Sequence, residues 1–178
     1  IGDEFTYFEK SSHSTLPDVY IYGLSSDNIY RVDVFSCEIV DQRDNLDLNG
    51  ISVSPNNVFL CGFHSKTIYL FEPLELGQNW TVNIEDFIGQ CPNISSLKVA
   101  NDGTLLVRCG NIFTNLSLIL GGVVFSQTID GLDNFDSFDL SPEGNYFLTY
   151  ESESDEIIVF DISTGPIQSF ESLGLGFR

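Results

Sequence analysis

Regularly spaced acidic side chains are the residues of this sequence best suited to bind a cation. Aspartates recur at every third position in two stretches: Asp41, Asp44 and Asp47, and Asp130, Asp133, Asp136 and Asp139. Carboxylate and amide oxygens are the ligands that Ca²⁺ prefers. We therefore predict a calcium site formed by Asp47, Asn49, Asp133 and Asp136, and no other cofactor. The alternative is a set of solvated acidic loops, because no D-x-[DN]-x-[DN]-G calcium loop occurs.

Motifs that would indicate a catalytic site are weaker than this acidic pattern. The two histidines are His13, in a polar stretch, and His64, at the end of an apolar run. Neither a G-x-S-x-G nucleophile elbow nor an H-E-x-x-H zinc motif is present. We interpret His64 as a structural hydrogen-bonding residue and predict no catalytic residue. Paired carboxylates leave a hydrolase or lyase open as the enzymatic alternative.

Three sequons could carry N-linked glycans if the chain is secreted: Asn79-Trp80-Thr81, Asn93-Ile94-Ser95 and Asn115-Leu116-Ser117. About as many would arise by chance in a chain so rich in Asn, Ser and Thr. The prediction of glycans at Asn79, Asn93 and Asn115 therefore depends on the compartment.

The charge of the chain excludes several partners. The chain has seven basic and twenty-six acidic residues, which gives a net charge of −19. Such a surface repels phosphate backbones and anionic membranes. The longest apolar run, Leu116 to Phe125, contains Gly121-Gly122 and is shorter than the ~20 residues of a membrane span. We predict protein partners or self-association, and neither nucleic-acid binding nor membrane insertion.

The element that must position these residues is a repeated set of short apolar runs. From Phe135 to Phe170 four runs alternate with turns, and the first turn is Ser141-Pro142-Glu143-Gly144. Pro fixes φ at the first corner and Gly accepts positive φ, which is typical of a hairpin. Equivalent turns open at Ser54 and Ala100, so the spacings are 46 and 41 residues. A period of about 40–45 residues is typical of propeller blades.

These copies resemble the WD-repeat family and its relatives with a Ser-Pro-Asp-Gly-type turn, over most of the chain. The Gly-His and Trp-Asp dipeptides of the family are absent. The place of Trp-Asp is taken by Val32-Asp33, Phe71-Glu72 and Phe160-Asp161. The resemblance implies an all-β propeller of about four blades, each a four-stranded antiparallel sheet. We expect one domain, 1–178, with repeats at about 1–40, 41–85, 86–129 and 130–178. This unit either is complete, belongs to a larger propeller, or is completed by an oligomer.

The hairpin register predicts one disulfide. If the turn from Ala100 to Gly103 joins two strands, Cys109 lies opposite Ile94 and therefore close to Cys91. We predict a Cys91–Cys109 bridge, with two buried free thiols as the alternative. The sequence predicts no partner for Cys37 or Cys61.

From these features we predict a non-enzymatic module for protein interaction or structural assembly. Sequons, cysteines and the lack of an initiating Met favour an extracellular or cell-surface location. Two alternatives stay open: a secreted propeller hydrolase or lyase with acidic residues at its channel mouth, and a cytoplasmic WD-repeat-like scaffold.

Overall fold

The computed structural model describes residues 7–10, 20–25, 28–44, 46–110, 112–119, 122–129, 137–151, 156–163 and 165–171. These residues form four four-stranded sheets, which we call blades 1 to 4. Blade 1 contains β1 (Tyr7–Lys10), β2 (Tyr20–Leu24), β3 (Ile29–Asp33) and β4 (Ile39–Arg43). Blade 2 contains β5 (Gly50–Val53), β6 (Leu60–His64), β7 (Thr67–Phe71) and β8 (Gln78–Asn83). Blade 3 contains β9 (Ile94–Val99), β10 (Thr104–Cys109), β11 (Ile112–Ile119) and β12 (Gly122–Ile129). Blade 4 contains β13 (Ser137–Leu140), β14 (Tyr146–Glu151), β15 (Glu156–Asp161) and β16 (Gly165–Glu171).

Every blade is an antiparallel meander in which each strand pairs with the next along the chain. In all four blades the register shifts by a β-bulge between the third and fourth strands. A bulge increases the local twist of a strand pair. The four sheets are thus copies of one twisted unit, as the repeat predicts.

The turn between the first and second strands confirms that Ser54, Ala100 and Ser141 have equivalent roles. In each turn the backbone N–H three residues later donates to the carbonyl oxygen of the opening residue, at 2.8 to 3.2 Å. The donating residue has a left-handed φ of 60°, 86° or 73° at Asn57, Gly103 and Gly144 respectively. Asn and Gly are the residues that adopt this conformation most readily.

Acidic residues at the ends of third strands also have a structural role. Oδ1 of Asp33 accepts hydrogen bonds from the backbone N–H groups of Phe35 and Ser36, at 2.9 and 2.8 Å. Oδ1 of Asp161 accepts one from the N–H of Ser163 at 2.7 Å. Both hydrogen bonds stabilise the ionised carboxylate and lower the pKa of Asp33, and the bond from Ser36 has the larger effect. These carboxylates therefore fix the turns into the fourth strands.

The blades stack face to face in chain order. Strands β1, β5, β9 and β13 contact one another in sequence, so the first strand of each blade lies next to the first strand of its neighbour. Three apolar clusters fill the spaces between blades 1 and 2, 2 and 3, and 3 and 4. In β10, Leu105 and Val107 belong to the second cluster and Leu106 to the third, so alternate side chains contact opposite neighbours. This arrangement explains why the inner strands are continuously apolar.

One element was not predicted. A four-residue helix, α1 (Glu85–Ile88), lies in the connection between blades 2 and 3. Its Glu85 carboxylate accepts a hydrogen bond from Nζ of Lys66 at 2.6 Å, and this contact lowers the pKa of Glu85. A helix of one turn is too short to give a helical hydrophobic period.

Candidate interaction surface

The outer face of blade 4 carries exposed apolar side chains. Side chains of β14 alternate between the two faces of the sheet. Phe147 points toward blade 3 and is only 1% exposed, whereas Tyr146 and Leu148 point away from it and are 46% and 47% exposed. The adjacent strand adds Ile157 and Val159, which are half-buried. We call this surface, formed by Tyr146, Leu148, Tyr150, Ile157 and Val159, the trailing face.

A shallow groove of about 150 Å³ crosses the trailing face and is lined by Asp139, Leu140, Ser141, Tyr146, Phe147, Leu148 and Val159. Leu148 is one of the lining residues and pairs with Val159 on one side and Asp139 on the other. The lining is mainly apolar. The groove therefore suits an aliphatic or aromatic side chain better than a polar small molecule.

The opposite end of the stack carries a second apolar surface. On the outer side of blade 1, Ile21 pairs with Val32, and Val32 pairs with Ile39. Ile39 is 54% exposed, and Ile21 and Val32 are half-buried. We call this row, Ile21, Val32 and Ile39, the leading face. Tyr30, on the same side of the sheet as Val32, is only 4% exposed, so this face is open mainly at Ile39.

The sequence contains a signal for the trailing face. The run Ile157-Ile158-Val159-Phe160 is apolar at four successive positions, a pattern typical of a strand covered on both faces. Phe160 and Ile158 are covered by the blade 3–blade 4 cluster. Ile157 and Val159, on the other side of the strand, belong to none of the three apolar clusters. The composition of β15 thus fits a blade that has a neighbour on each side.

Two members of the predicted calcium set are described. Asp47 and Asn49 flank the buried Leu48 in the connection before β5. Oδ1 of Asp47 lies 3.6 Å from Nδ1 of His64, and Oδ1 of Asn49 accepts a hydrogen bond from the N–H of Ser65 at 3.0 Å. Asn49 therefore has a hydrogen-bonded protein partner, whereas the contact of Asp47 is too long for a hydrogen bond. Asp133 and Asp136 lie outside the described residues, so the calcium site stays a prediction.

The predicted disulfide is present. Cys91 is bonded to Cys109, and their Cα atoms are 5.7 Å apart. Cys109 pairs with Ile94, the register from which the bond was predicted. Both cysteines are buried in the cluster between blades 2 and 3, where the bond ties the α1 connection to the first hairpin of blade 3. An oxidised pair fits an oxidising compartment.

The other two thiols differ from each other. Cys61 is fully buried in the middle of β6, and this burial raises its pKa to about 12. Cys37 is exposed in the turn between β3 and β4. Of these two thiols, only that of Cys37 is accessible to reagents dissolved in water.

The sequons occupy different environments. Asn93 is exposed, and its Oδ1 accepts a hydrogen bond from the Ser65 hydroxyl at 2.9 Å, which leaves Nδ2 to face solvent. Asn115 is only 8% exposed, beside a polar cavity of about 250 Å³ between blades 3 and 4. A glycan needs an accessible Nδ2, so the geometry favours Asn93 over Asn115. Asn79 lies in β8, and its side chain is outside the described set.

The described residues include neither a cluster of three metal-ligating side chains nor a helix that could cross a bilayer. Within them, no group of three or more His, Cys, Asp or Glu side chains is placed to hold a metal ion. No helix in the described part of the chain has the length and apolar character needed to cross a bilayer. His13, the second predicted histidine, lies outside the described residues.

Comparisons with known proteins establish the fold. No protein-family model and no curated protein matches the sequence. Among solved structures, the dihydro-heme d1 dehydrogenase NirN in complex with DHE is similar with a TM-score of 0.64 and 18% identity, over 87% of this chain and 35% of that one. The hydrazine synthase of Kuenenia stuttgartiensis has a TM-score of 0.66 and 14% identity, over 94% and 49%. The Cps50 (Swd1) β-propeller domain of Myceliophteria thermophila has a TM-score of 0.64 and 9% identity, over 85% and 52%. The chain spans between about a third and a half of these structures, and its four blades have the β-propeller fold.

Proposed function

We propose that this chain is a non-enzymatic module for protein interaction or structural assembly, and that the trailing and leading faces are its binding surfaces. The observation that carries the proposal is the contrast within one strand. Phe147 is 1% exposed against blade 3, and its neighbour Leu148 is 47% exposed on the other side of the sheet. A propeller blade is normally covered on both faces, so the trailing face is suited to receive another protein surface.

The chemistry of the trailing face supports protein rather than small-molecule binding. Tyr146, Leu148, Ile157 and Val159 offer a sheet surface with one shallow groove instead of an enclosed pocket. Aromatic and aliphatic side chains at the centre of a patch are typical of interaction hot spots. Asp139 and Ser141 add polar groups to the lining of the groove.

The test uses a photo-crosslinking amino acid at position 148 in the full-length protein, expressed in its own cells. Leu74 is the matched control position, because it is 56% exposed but lies in the turn between β7 and β8 of blade 2. The proposal expects a defined crosslinked protein from position 148 and none from position 74. No crosslink at position 148, or the same products at both positions, would contradict it.

We further propose that the protein works in an extracellular or other oxidising compartment. The buried Cys91–Cys109 bond and the exposed Asn93 sequon support this location. Protein purified from its own cells should then carry an N-linked glycan at Asn93 that the Asn93→Gln variant lacks. A chain with reduced Cys91 and Cys109 and an unmodified Asn93 would instead favour the cytoplasmic scaffold.

A further inference from the structure

We propose that the polar cavity between blades 3 and 4 binds an organic cation, the ammonium or guanidinium group of a small molecule or of a Lys or Arg side chain. The cavity has a volume of about 250 Å³, and its lining includes Thr104 and Asn115 of blade 3 and Asp161 and Ser163 of blade 4. Both walls belong to described blades, so the site is separate from the trailing and leading faces. It requires neither a further blade nor a second copy of the chain.

Asn115 is a polar residue at a position where the repeat has an apolar one. Alternate side chains of a strand point to opposite faces, and Phe113 of β11 belongs to the cluster between blades 3 and 4. Asn115 follows it by two residues and therefore lies on the same side, toward blade 4. It pairs with Leu106, as Leu70 of blade 2 pairs with Cys61. Leu70 is 5% exposed and belongs to the apolar cluster between blades 2 and 3.

The side-chain oxygen of Asn115 is a buried acceptor that lacks a donor. The residue is 8% exposed, and its Oδ1 has no hydrogen-bond partner among the described residues. A buried acceptor left unpaired costs free energy, so a group inside the cavity is expected to donate to it. The cavity has room for roughly eight water molecules at about 30 Å³ each, which is far more than one oxygen requires.

The other polar groups of the lining determine the charge of the ligand. Two hydroxyl groups already donate within the protein, Oγ1 of Thr104 to Oδ2 of Asp102 at 3.0 Å and Oγ of Ser163 to Oδ1 of Asp161. Among the described lining residues, only Asp161 is charged. The cavity therefore offers a carboxylate and an unpaired amide oxygen, which suits a positively charged donor.

The surrounding sequence also favours a cation. No Lys, Arg or His occurs between Arg108 and Arg178, whereas this stretch contains eleven Asp and Glu residues. A calcium ion fits less well than an organic cation, because it takes about 6–8 oxygen ligands and no group of three metal-ligating side chains occurs in the described part of the chain. An ammonium or guanidinium group donates several hydrogen bonds at once, to amide and carboxylate oxygens alike.

The experiment is an NMR titration of the full-length protein, labelled with ¹⁵N-asparagine, with N-acetyl-arginine amide as the probe. The side-chain amide signal of Asn115 should shift with a Kd of about 1 mM or below. The matched control probe is N-acetyl-citrulline amide, which replaces the guanidinium group by a neutral urea of the same shape. It should bind at least about tenfold more weakly, because its hydrogen bond to the carboxylate is not charge-assisted.

Three variants, compared by calorimetry with the same two probes, test the two groups of the site. Asn115→Leu introduces the residue found at the corresponding position of blade 2, so it should fold, and it should weaken the arginine probe at least about tenfold. Asp161→Asn keeps an oxygen that accepts from the Ser163 N–H but removes the charge, so it should weaken the arginine probe and leave the citrulline probe unchanged. Asp139→Asn, exposed on blade 4 outside the cavity, is the control and should affect neither probe.

A capped Gly-Arg-Gly tripeptide distinguishes the two sources of the cation. Binding at least as tight as that of the single amino acid assigns the site to a side chain of a protein, and weaker binding assigns it to a free small molecule. No shift of the Asn115 signal at about 50 mM arginine probe would overturn the inference and leave water in the cavity. Equal affinity for the arginine and citrulline probes would also overturn it, as would unchanged affinity in Asn115→Leu or in Asp161→Asn.

Discussion

Removal of the Cys91–Cys109 disulfide should lower the stability of the chain by a predictable amount. The two cysteines are 18 residues apart in sequence. A crosslink that closes a loop of this length removes about 3 kcal/mol of chain entropy from the unfolded state. Both sulfurs lie in the apolar cluster between blades 2 and 3, so the bond also holds the α1 connection against the core.

The variant is Cys91→Ala/Cys109→Ala, and the assay is urea unfolding followed by the fluorescence of Trp80. We expect the unfolding free energy to fall by about 3 kcal/mol, which at a slope of about 2 kcal/mol/M moves the midpoint by roughly 1.5 M urea. Cys37→Ser is the control, because Cys37 is exposed, and it should change the free energy by less than about 0.5 kcal/mol. A loss below about 1 kcal/mol in the double variant would refute the reasoning, as would free thiols at both positions in the purified oxidised protein.

Three further predictions concern single residues. Gly144→Ala should lower the unfolding free energy by about 1–2 kcal/mol, because φ is +73° and the added Cβ would lie 2.6 Å from a carboxylate oxygen of the neighbouring turn. Gly77→Ala, whose nearest atom is 3.9 Å away, should have little effect in the same urea titration. The Tyr22 hydroxyl donates across the blade 1–blade 2 boundary at 2.7 Å, and burial raises its pKa from 10.0 to about 12. Folding thus favours the neutral form of Tyr22, so the unfolding free energy of the wild type should fall relative to that of Tyr22→Phe as pH rises from 10 to 12. The same pH dependence of the unfolding free energy in both proteins would contradict this. At about pH 8, iodoacetamide should label Cys37 and spare the native Cys61, whose raised pKa keeps the thiol protonated, and equal labelling rates by mass spectrometry would show that Cys61 is accessible.

The sequence predicts the blade because the features of a blade are local. The turns at Ser54, Ala100 and Ser141 depend on residues within a few positions, and all three form as the turn chemistry predicts. The disulfide was predictable for the same reason, because a hairpin turn fixes the register of the two strands it joins. The repeat then allowed the same interpretation at each copy.

The candidate surface was harder to predict because it depends on which blades have neighbours. The apolar run in β15 indicates only that the strand suits cover on both faces. Which side is covered is decided by the packing of the whole stack, and the side that carries Leu148 leaves that residue 47% exposed. Likewise, Asp47 and Asn49 were predicted as calcium ligands from spacing alone. Spacing could not predict the contacts of Asp47 with His64 and of Asn49 with Ser65.

The most direct test compares Phe147→Ala with Leu148→Ala, two neighbours on opposite faces of β14. Unfolding free energies from urea titration should fall by about 3–5 kcal/mol for Phe147→Ala, which leaves a cavity against blade 3. Leu148→Ala should cost less than about 1 kcal/mol, because half of that side chain already faces water. If Leu148→Ala costs as much as a buried leucine, about 2–5 kcal/mol, then the trailing face is already covered and its role as a binding surface is contradicted.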